Sequence, residues 1–202
     1  MHIAIEGIDG VGKTTLARSL AHHLGFTCVE KHLHALFDGE DACAIPNYMR
    51  ITEQVNASDN PTFRAWFYAL GNLFLREHYR NMNIVTDRYF ASNYSWNGTR
   101  DNEFIFDKLI EILGKPEITF LVYANPQVRM ERIRRRNPDD PDLLNANLAF
   151  SDRMYERLNA FLKERNFNYH LIDTSDKSIE ESISAMLDIL AKSFPIQLPH
   201  NG

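Results

Sequence analysis

Residues Gly7-Ile8-Asp9-Gly10-Val11-Gly12-Lys13-Thr14 satisfy the pattern G-x-x-x-x-G-K-[ST], and they lie between an apolar run, Ile3 to Ile5, and a helical pattern. That helix begins at Thr14 and places Leu16, Leu20, Ala21 and Leu24 on one face. Strand, glycine-rich loop and helix together are the context this pattern requires. The glycines let successive backbone N–H groups turn inward, the helix N-terminus adds its positive dipole end, and Lys13 supplies a mobile charge for outer phosphates. Thr14 is a candidate magnesium ligand, and Thr15 continues the loop into the helix. At average residue frequencies the pattern arises by chance in under about one percent of chains this size. The loop therefore predicts binding of a nucleoside triphosphate with Mg2+, on a strand that must sit inside a sheet. By itself it separates neither kinases from GTPases nor enzymes from nucleotide-gated switches.

The rest of the chain repeats the alternation. Gly25 closes the first helix and "FTCVE" (Phe26 to Glu30) reads as a second strand. Lys31 to Pro61 shows no clean period and reads as loop with short helical pieces. Thr62 to Tyr79 recovers a 3.6-residue period through Phe63, Trp66, Phe67, Leu70, Phe74 and Leu75, and leads to a strand, Ile84 to Thr86, ending at Asp87. Phe104 to Leu113 is amphipathic and stops at Gly114 and Pro116. "EITFLVYA" then forms a strand apolar enough for burial on both faces. A helix from Pro126 to Arg136, the helix-hostile "NPDDPD", a helix from about Leu144 to Arg165, a strand "YHLID" and a helix from about Ser178 to Lys192 complete the pattern. Alternation of this kind predicts an α/β fold with a parallel sheet and helices on both faces, in a single domain over 1–202 with a loose tail at about 195–202.

Composition excludes several classes. The 202 residues carry 22 Lys plus Arg against 27 Asp plus Glu, a net charge of -5, so neither nucleic acid nor an anionic membrane is an expected partner. Cys28 and Cys43 are too few for a disulfide framework and lack C-x-x-C spacing. With no charged leader segment and no run of about 18 apolar residues, the expectation is a cytoplasmic protein. The eight histidines form no metal-ligand grouping, and His22 and His23 decorate the first helix. Asn97-Gly98-Thr99 matches a glycosylation sequon but reads as a turn.

Ligands in such sheets meet the crevice at the carboxyl ends of strands, which draws attention to Asp87-Arg88-Tyr89. Asp87 could position magnesium or the attacking group, Arg88 could clamp a phosphoryl oxygen, and Tyr89 offers a flat face. The bland alternative is a surface ion pair. In Pro126 to Arg136, Arg129, Arg132 and Arg136 share one face, with Arg134 and Arg135 beside them. This cluster, running into "NPDDPD", reads as a lid over about 132–145 whose arginines stabilise charge on a transferred phosphoryl group. Its rival is a solvated face paired to Asp139, Asp140 and Asp142. Phe67, Trp66 and Tyr68 are candidates for stacking on a base, against the ordinary reading of aromatic residues at helical spacing as core.

"GIDGVGKTT" (Gly7 to Thr15), "DRYFASN" (Asp87 to Asn93), "RIRRR" (Arg132 to Arg136) and "LIDTSDKSIEE" (Leu171 to Glu181) together resemble the thymidylate kinase family, in order and spacing along the whole chain. The resemblance implies a three-layer P-loop kinase fold with a five-stranded parallel sheet of order 2-3-1-4-5, ATP and magnesium on one side and a small deoxynucleotide on the other. It places Asp9 near the acceptor sugar hydroxyl, Lys13, Asp87, Arg88, Arg132 and Arg136 at the reacting groups, Thr14 and Asp87 on magnesium, and Thr174 and Ser175 beside adenine. It also implies a homodimer.

Two departures matter. The family follows its second strand with Arg-Glu-Pro, whose arginine helps bind the acceptor's monophosphate, and here Cys28-Val29-Glu30-Lys31-His32 stands instead. An arginine that follows a Phe in the acceptor helix and grips the same phosphate is also replaced, with Gly71 or Asn72 near its place and Arg64 or Arg76 as substitutes, and Arg50 is a further candidate. The neighbouring deoxynucleoside kinases carry a catalytic Glu where Glu30 stands, and a carboxylate there would repel a monophosphate but take a proton from a 5′-hydroxyl. Three readings follow: ATP-dependent phosphorylation of a deoxynucleoside monophosphate, foremost dTMP to dTDP; a deoxynucleoside kinase with Glu30 as general base; and, more remotely, a nucleotide-binding switch without a small acceptor.

Overall fold

Strand β1 (His2–Glu6) is buried at four of its five positions, as a strand flanked and covered on all sides must be. It pairs in parallel with β3 (Ile84–Asp87), in register Ile5 with Asp87, and with β4 (Ile118–Tyr123), in register Glu6 with Leu121. β2 (Thr27–Val29) extends the sheet beyond β3 and β5 (Tyr169–Asp173) beyond β4, giving the order β2-β3-β1-β4-β5 with every pairing parallel. This computed structural model describes residues 1–30, 33–39, 43–140, 143 and 148–194. Lys31, His32, Asp142, the end of the expected lid and the expected tail lie outside the described residues.

α1 (Lys13–Leu24) and α9 (Ile179–Ser193) pack together on one face of the sheet. On the other lie α4 (Pro61–His78), α5 (Phe90–Asn97), α6 (Glu103–Leu113) and α8 (Leu148–Glu164). Two short helices, α2 (His34–Asp38) and α3 (Pro46–Asn56), lean on α4, and α7 (Pro126–Arg136) follows β4 and lies against the glycine-rich loop. The core joins the sheet to both layers through Ile3, Ile5, Leu20, Phe106, Phe120, Leu158 and Phe161. The crossover leaving β1 runs toward β2 and that leaving β3 runs back toward β4, so a crevice opens outside the carboxyl ends of these neighbouring strands.

Most elements fall where periodicity and caps place them. Gly25 ends α1 in the left-handed region at φ 64°, Asn60 caps α4, and Ser178 with Glu181 closes a capping box on α9. Two helices depart from the sequence expectation for one reason. α5 is absent from the sequence reading because its N-cap, Tyr89, supplies no side-chain acceptor. Glu6 does so from the end of β1, accepting from the backbone N–H groups of Tyr89 at 2.9 Å, Ala91 at 3.0 Å and Ser92 at 3.2 Å, and from the Ser92 hydroxyl. α3, expected as loop with short helical pieces, is likewise capped from outside: Asp38 accepts from the N–H groups of Asn47 at 2.9 Å and Tyr48 at 2.8 Å.

α4 turns a different face inward from the one its large apolar residues suggest. Its buried stripe is Ala65, Ala69, Asn72 and Leu75, while Phe63, Trp66, Leu70 and Leu73 are exposed. Small side chains at 65 and 69 bring α5 close enough for Asn93 Nδ2 to donate to the Ala65 carbonyl at 3.0 Å. Asn97, the sequon residue, is buried against α4 just before Gly98 ends α5.

Candidate active site

The phosphate loop is built by backbone geometry that only glycine tolerates. A Cβ at Gly7 would stand 2.6 Å from the Val122 carbonyl oxygen, and Gly10 and Gly12 adopt φ values of 82° and 98°. α7 holds the loop from behind: Arg129 Nε donates to the Asp9 carbonyl at 2.7 Å, and Arg132 donates to the carbonyls of Val11 at 3.2 Å and Thr174 at 2.8 Å. Thr174, buried at the end of β5, donates to the Val11 carbonyl at 3.0 Å. Arg129 and Arg132 thus brace the loop's carbonyls, Arg136 faces the crevice and pairs with Asp140, and Arg134 and Arg135 are exposed. The five arginines share a helix but only Arg132 and Arg136 line the crevice.

Lys13 is 6% exposed, donates to the Ile8 carbonyl at 2.7 Å and lies 3.7 Å from Asp9. Burial, and then repulsion from Arg88, pull its ammonium down to about 8 although Asp9, Asp87 and Glu6 draw it upward. An ammonium held this way gains most from an anion brought beside it. Burial alone would raise the Asp9 carboxyl, but Arg88, Lys13, Arg129 and Arg136 outweigh it and hold Asp9 at about 2. The Arg88 guanidinium donates to Asp9 and, at 3.4 Å and 3.3 Å, to the Gly7 carbonyl and the Ser92 hydroxyl. Arg88 takes φ 75°, a left-handed conformation that a non-glycine residue holds only under surrounding constraint. The constraint is its N–H, bonded to the Ile5 carbonyl at 2.9 Å, together with Glu6 gripping the N–H groups of Tyr89, Ala91 and Ser92 just beyond it. Glu6 positions the segment that carries Arg88, a role the sequence reading passes over. Burial pushes its carboxyl up even though Ser92, Arg88 and Tyr89 act to lower it.

Thr14 donates its hydroxyl to Asp87 Oδ2, while Asp87 Oδ1 is buried without a hydrogen-bond partner. An oxygen left in that state beside a hydroxyl fits a hard cation. No group of three or more His, Cys, Asp or Glu that could hold a metal occurs among the described residues, so such an ion would bring further ligands with the nucleotide.

Beyond Arg88 the crevice, about 1240 Å³ in volume, is walled by side chains from four helices: Arg18 and Thr15 of α1, Tyr48 and Asn56 of α3, Arg64, Tyr68 and Asn72 of α4, and Ser92, Asn93, Trp96 and Asn97 of α5. A relay ties two of these walls. Arg64 Nε donates to Asn97 Oδ1 at 2.9 Å, Asn97 Nδ2 to Asn93 Oδ1 at 3.0 Å, and Tyr68 spans to Asn56 Oδ1 at 2.8 Å. Burial raises the phenol of Tyr48 to about 12 and that of Tyr68 in the same direction, so both are neutral donors. Glu30 also lines the crevice, with both oxygens engaged by Arg18 at 2.5 Å and 2.9 Å.

Other expected residues are placed elsewhere. Phe67 lies outside the crevice wall and stacks on Phe37 with ring centroids 6.3 Å apart. Trp66, Arg50 and Arg76 do not line it, and Tyr89, though at its edge, packs its ring against His2 and Phe90. Arg18, Tyr48, Asn56, Ser92 and Trp96 were not singled out from sequence. The signal for Arg18 was its position one helical turn after Thr14 on the same face.

A parallel sheet of this order, with a glycine loop after β1 facing a crevice of polar helix walls, defines the class of P-loop nucleoside and nucleotide kinases. The family profile described as thymidylate kinase matches residues 5–185, and the chain belongs to that family. A "Probable thymidylate kinase" of Methanocaldococcus jannaschii is 25% identical over 201 residues, 96% of this chain and 97% of that protein. One of Thermoplasma acidophilum is 31% identical over 159 residues, covering 72% and 76% respectively. Among solved structures the thymidylate kinase of Candida albicans is similar in fold, with a TM-score of 0.68, 16% identity and coverage of 100% of this chain and 95% of that one. A deoxyadenosine kinase from M. mycoides has a TM-score of 0.63 at 16% identity, covering 95% and 100%. No helix among the described residues is long and apolar enough to cross a membrane.

Proposed function

We infer that the chain transfers the γ-phosphoryl group of ATP to dTMP, giving dTDP and ADP. The observation that carries this reading is the meeting of two half-sites at Arg88, in a chain of the thymidylate kinase family. On one side lie Lys13, Thr14 and the loop N–H groups, and on the other the crevice walled by α3, α4 and α5. Lys13 pairs with the outer phosphates of the donor, and Arg88, poised between Gly7, Asp9 and Ser92, reaches donor and acceptor phosphates alike. Thr14 and Asp87 would hold magnesium, which when bound spreads charge over the triphosphate oxygens. Catalysis in this arrangement is alignment plus electrostatic stabilisation of an in-line displacement, with Arg132 and Arg136 at the donor edge and no covalent enzyme intermediate. Asp9, held ionised, is the acceptor for a sugar hydroxyl. Thr174, in the crevice wall, borders the adenine, with Ser175 next to it in the chain.

The competing reading is a deoxynucleoside kinase with Glu30 as base, favoured by the position of Glu30 in the crevice wall. Against it, Glu30 would have to release Arg18 before taking a proton from a hydroxyl. ADP release measured with a panel of nucleosides and nucleoside monophosphates decides between them. We expect dTMP to be the preferred acceptor and Glu30→Gln to retain turnover. Turnover of nucleosides alone, silenced by Glu30→Gln, would overturn the monophosphate reading. The exposed stripe Phe63, Trp66, Leu70 and Leu73 supports a homodimer through α4, to be checked by light scattering with Leu70→Glu.

A further inference from the structure

Four asparagines line the acceptor part of the crevice, and three are committed to the protein. Asn56 accepts from Tyr68, Asn93 donates to the Ala65 carbonyl and accepts from Asn97, and Asn97 also accepts from Arg64. Asn72 is 2% exposed, lines the same wall, and its Oδ1 is buried with no hydrogen-bond partner. A buried amide oxygen left in this state bears the cost of its lost hydration, which a hydrogen-bonding ligand removes. Asp87 Oδ1 is the other orphaned atom in the crevice wall among the described residues, and it stands at the metal position.

Asn72 follows Arg64 and Tyr68 at successive intervals of four residues on α4, so the three form one ridge facing the crevice. It is neutral, and Tyr68 and Trp96, which line the same crevice, offer aromatic surface. A primary amide carries a donor and an acceptor side by side, which matches the edge of a nucleobase where an N–H adjoins a carbonyl. A phosphate, with acceptors only, would leave the Asn72 oxygen unpaired.

We propose that Asn72 is a specificity-determining residue that reads the acceptor base, its Oδ1 accepting from thymine N3–H and its Nδ2 donating to an adjacent base carbonyl. The inference rests on a thymine nucleotide being the acceptor. An amide pairs with a base edge that sets an N–H beside a carbonyl, and N3-methylation removes the N–H from which its oxygen would accept.

The test compares dTMP with N3-methyl-dTMP as acceptors for the full chain and for Asn72→Leu and Asn72→Ala, with ATP affinity and thermal melting measured on each. The unaltered protein should prefer dTMP by about 100-fold or more in kcat/KM. Asn72→Leu should lose about 10- to 100-fold on dTMP, chiefly through KM, and its preference between the two acceptors should collapse while ATP affinity is unchanged. A merely structural role would lower both acceptors together and leave their ratio intact. That outcome in either variant, or equal use of the two acceptors by the unaltered protein, overturns the inference alone. Failure to phosphorylate dTMP with ATP binding intact overturns the proposed function, and the inference falls with it.

Discussion

The donor and acceptor halves of the crevice are built by different means. The donor half is made of main chain: one contiguous stretch from Gly7 to Thr15, closed by glycine geometry and braced through its carbonyls by Arg129, Arg132 and Thr174. The acceptor half is made of side chains from α1, α3, α4 and α5, tied by a relay from Arg64 through Asn97 to Asn93. A triphosphate tail presents the same oxygens whatever the base, so fixed backbone N–H groups suffice to hold it. An acceptor differs in base and phosphorylation, and only replaceable side chains can track that difference.

The contrast can be broken most severely where the halves meet. Arg88→Ala should lower kcat about 10²- to 10³-fold with every acceptor while ATP affinity measured by calorimetry changes little, because Arg88 lies beyond the loop. Loss confined to one acceptor would move Arg88 wholly into the acceptor half. Next in size, Gly7→Ala forces a methyl to within 2.6 Å of the Val122 carbonyl and should destabilise by about 1–3 kcal/mol in urea titrations, with ATP binding lost in parallel. Ala69→Leu tests the opposite half: overpacking α4 against α5 should destabilise by a similar amount, yet raise the acceptor KM and spare ATP affinity.

A smaller effect is proton linkage at Lys13. Its folded value, about 8, lies below the unfolded 10.5, so between these values the unfolded chain holds more protons at this site and stability rises with pH. Donor binding has the opposite sign, since a neutral Lys13 must regain its proton to pair with phosphate. Calorimetry in buffers of differing ionisation enthalpy should show proton uptake on ATP binding at about pH 9, almost none at about pH 6, and none attributable to this site in Lys13→Met. Equal uptake in both proteins would assign the linkage elsewhere. The smallest change is expected from Arg18→Ala, which removes an exposed ion pair to Glu30 and should shift stability by under about 1 kcal/mol. Its effect on the acceptor KM, if any, measures how far the pair serves the acceptor half.

The same division governs what could be read from residues alone. Local chemistry determined the phosphate loop, the alternation of strands and helices, the candidacy of Thr14 and Asp87 as magnesium ligands, and the resemblance that led to the family. Each is carried by residues adjacent in sequence or by a regular period. Tertiary structure decided the rest. It capped α5 with Glu6 and α3 with Asp38, turned the alanine stripe of α4 inward, drew Phe67 onto Phe37, set Arg129 and Arg132 behind the loop, and left Asn72 unsatisfied at the acceptor wall. The physical reason is the separation of the partners. Glu6 and Tyr89 stand 83 residues apart, and no local propensity encodes a hydrogen bond that exists only once the sheet has brought both strand ends together.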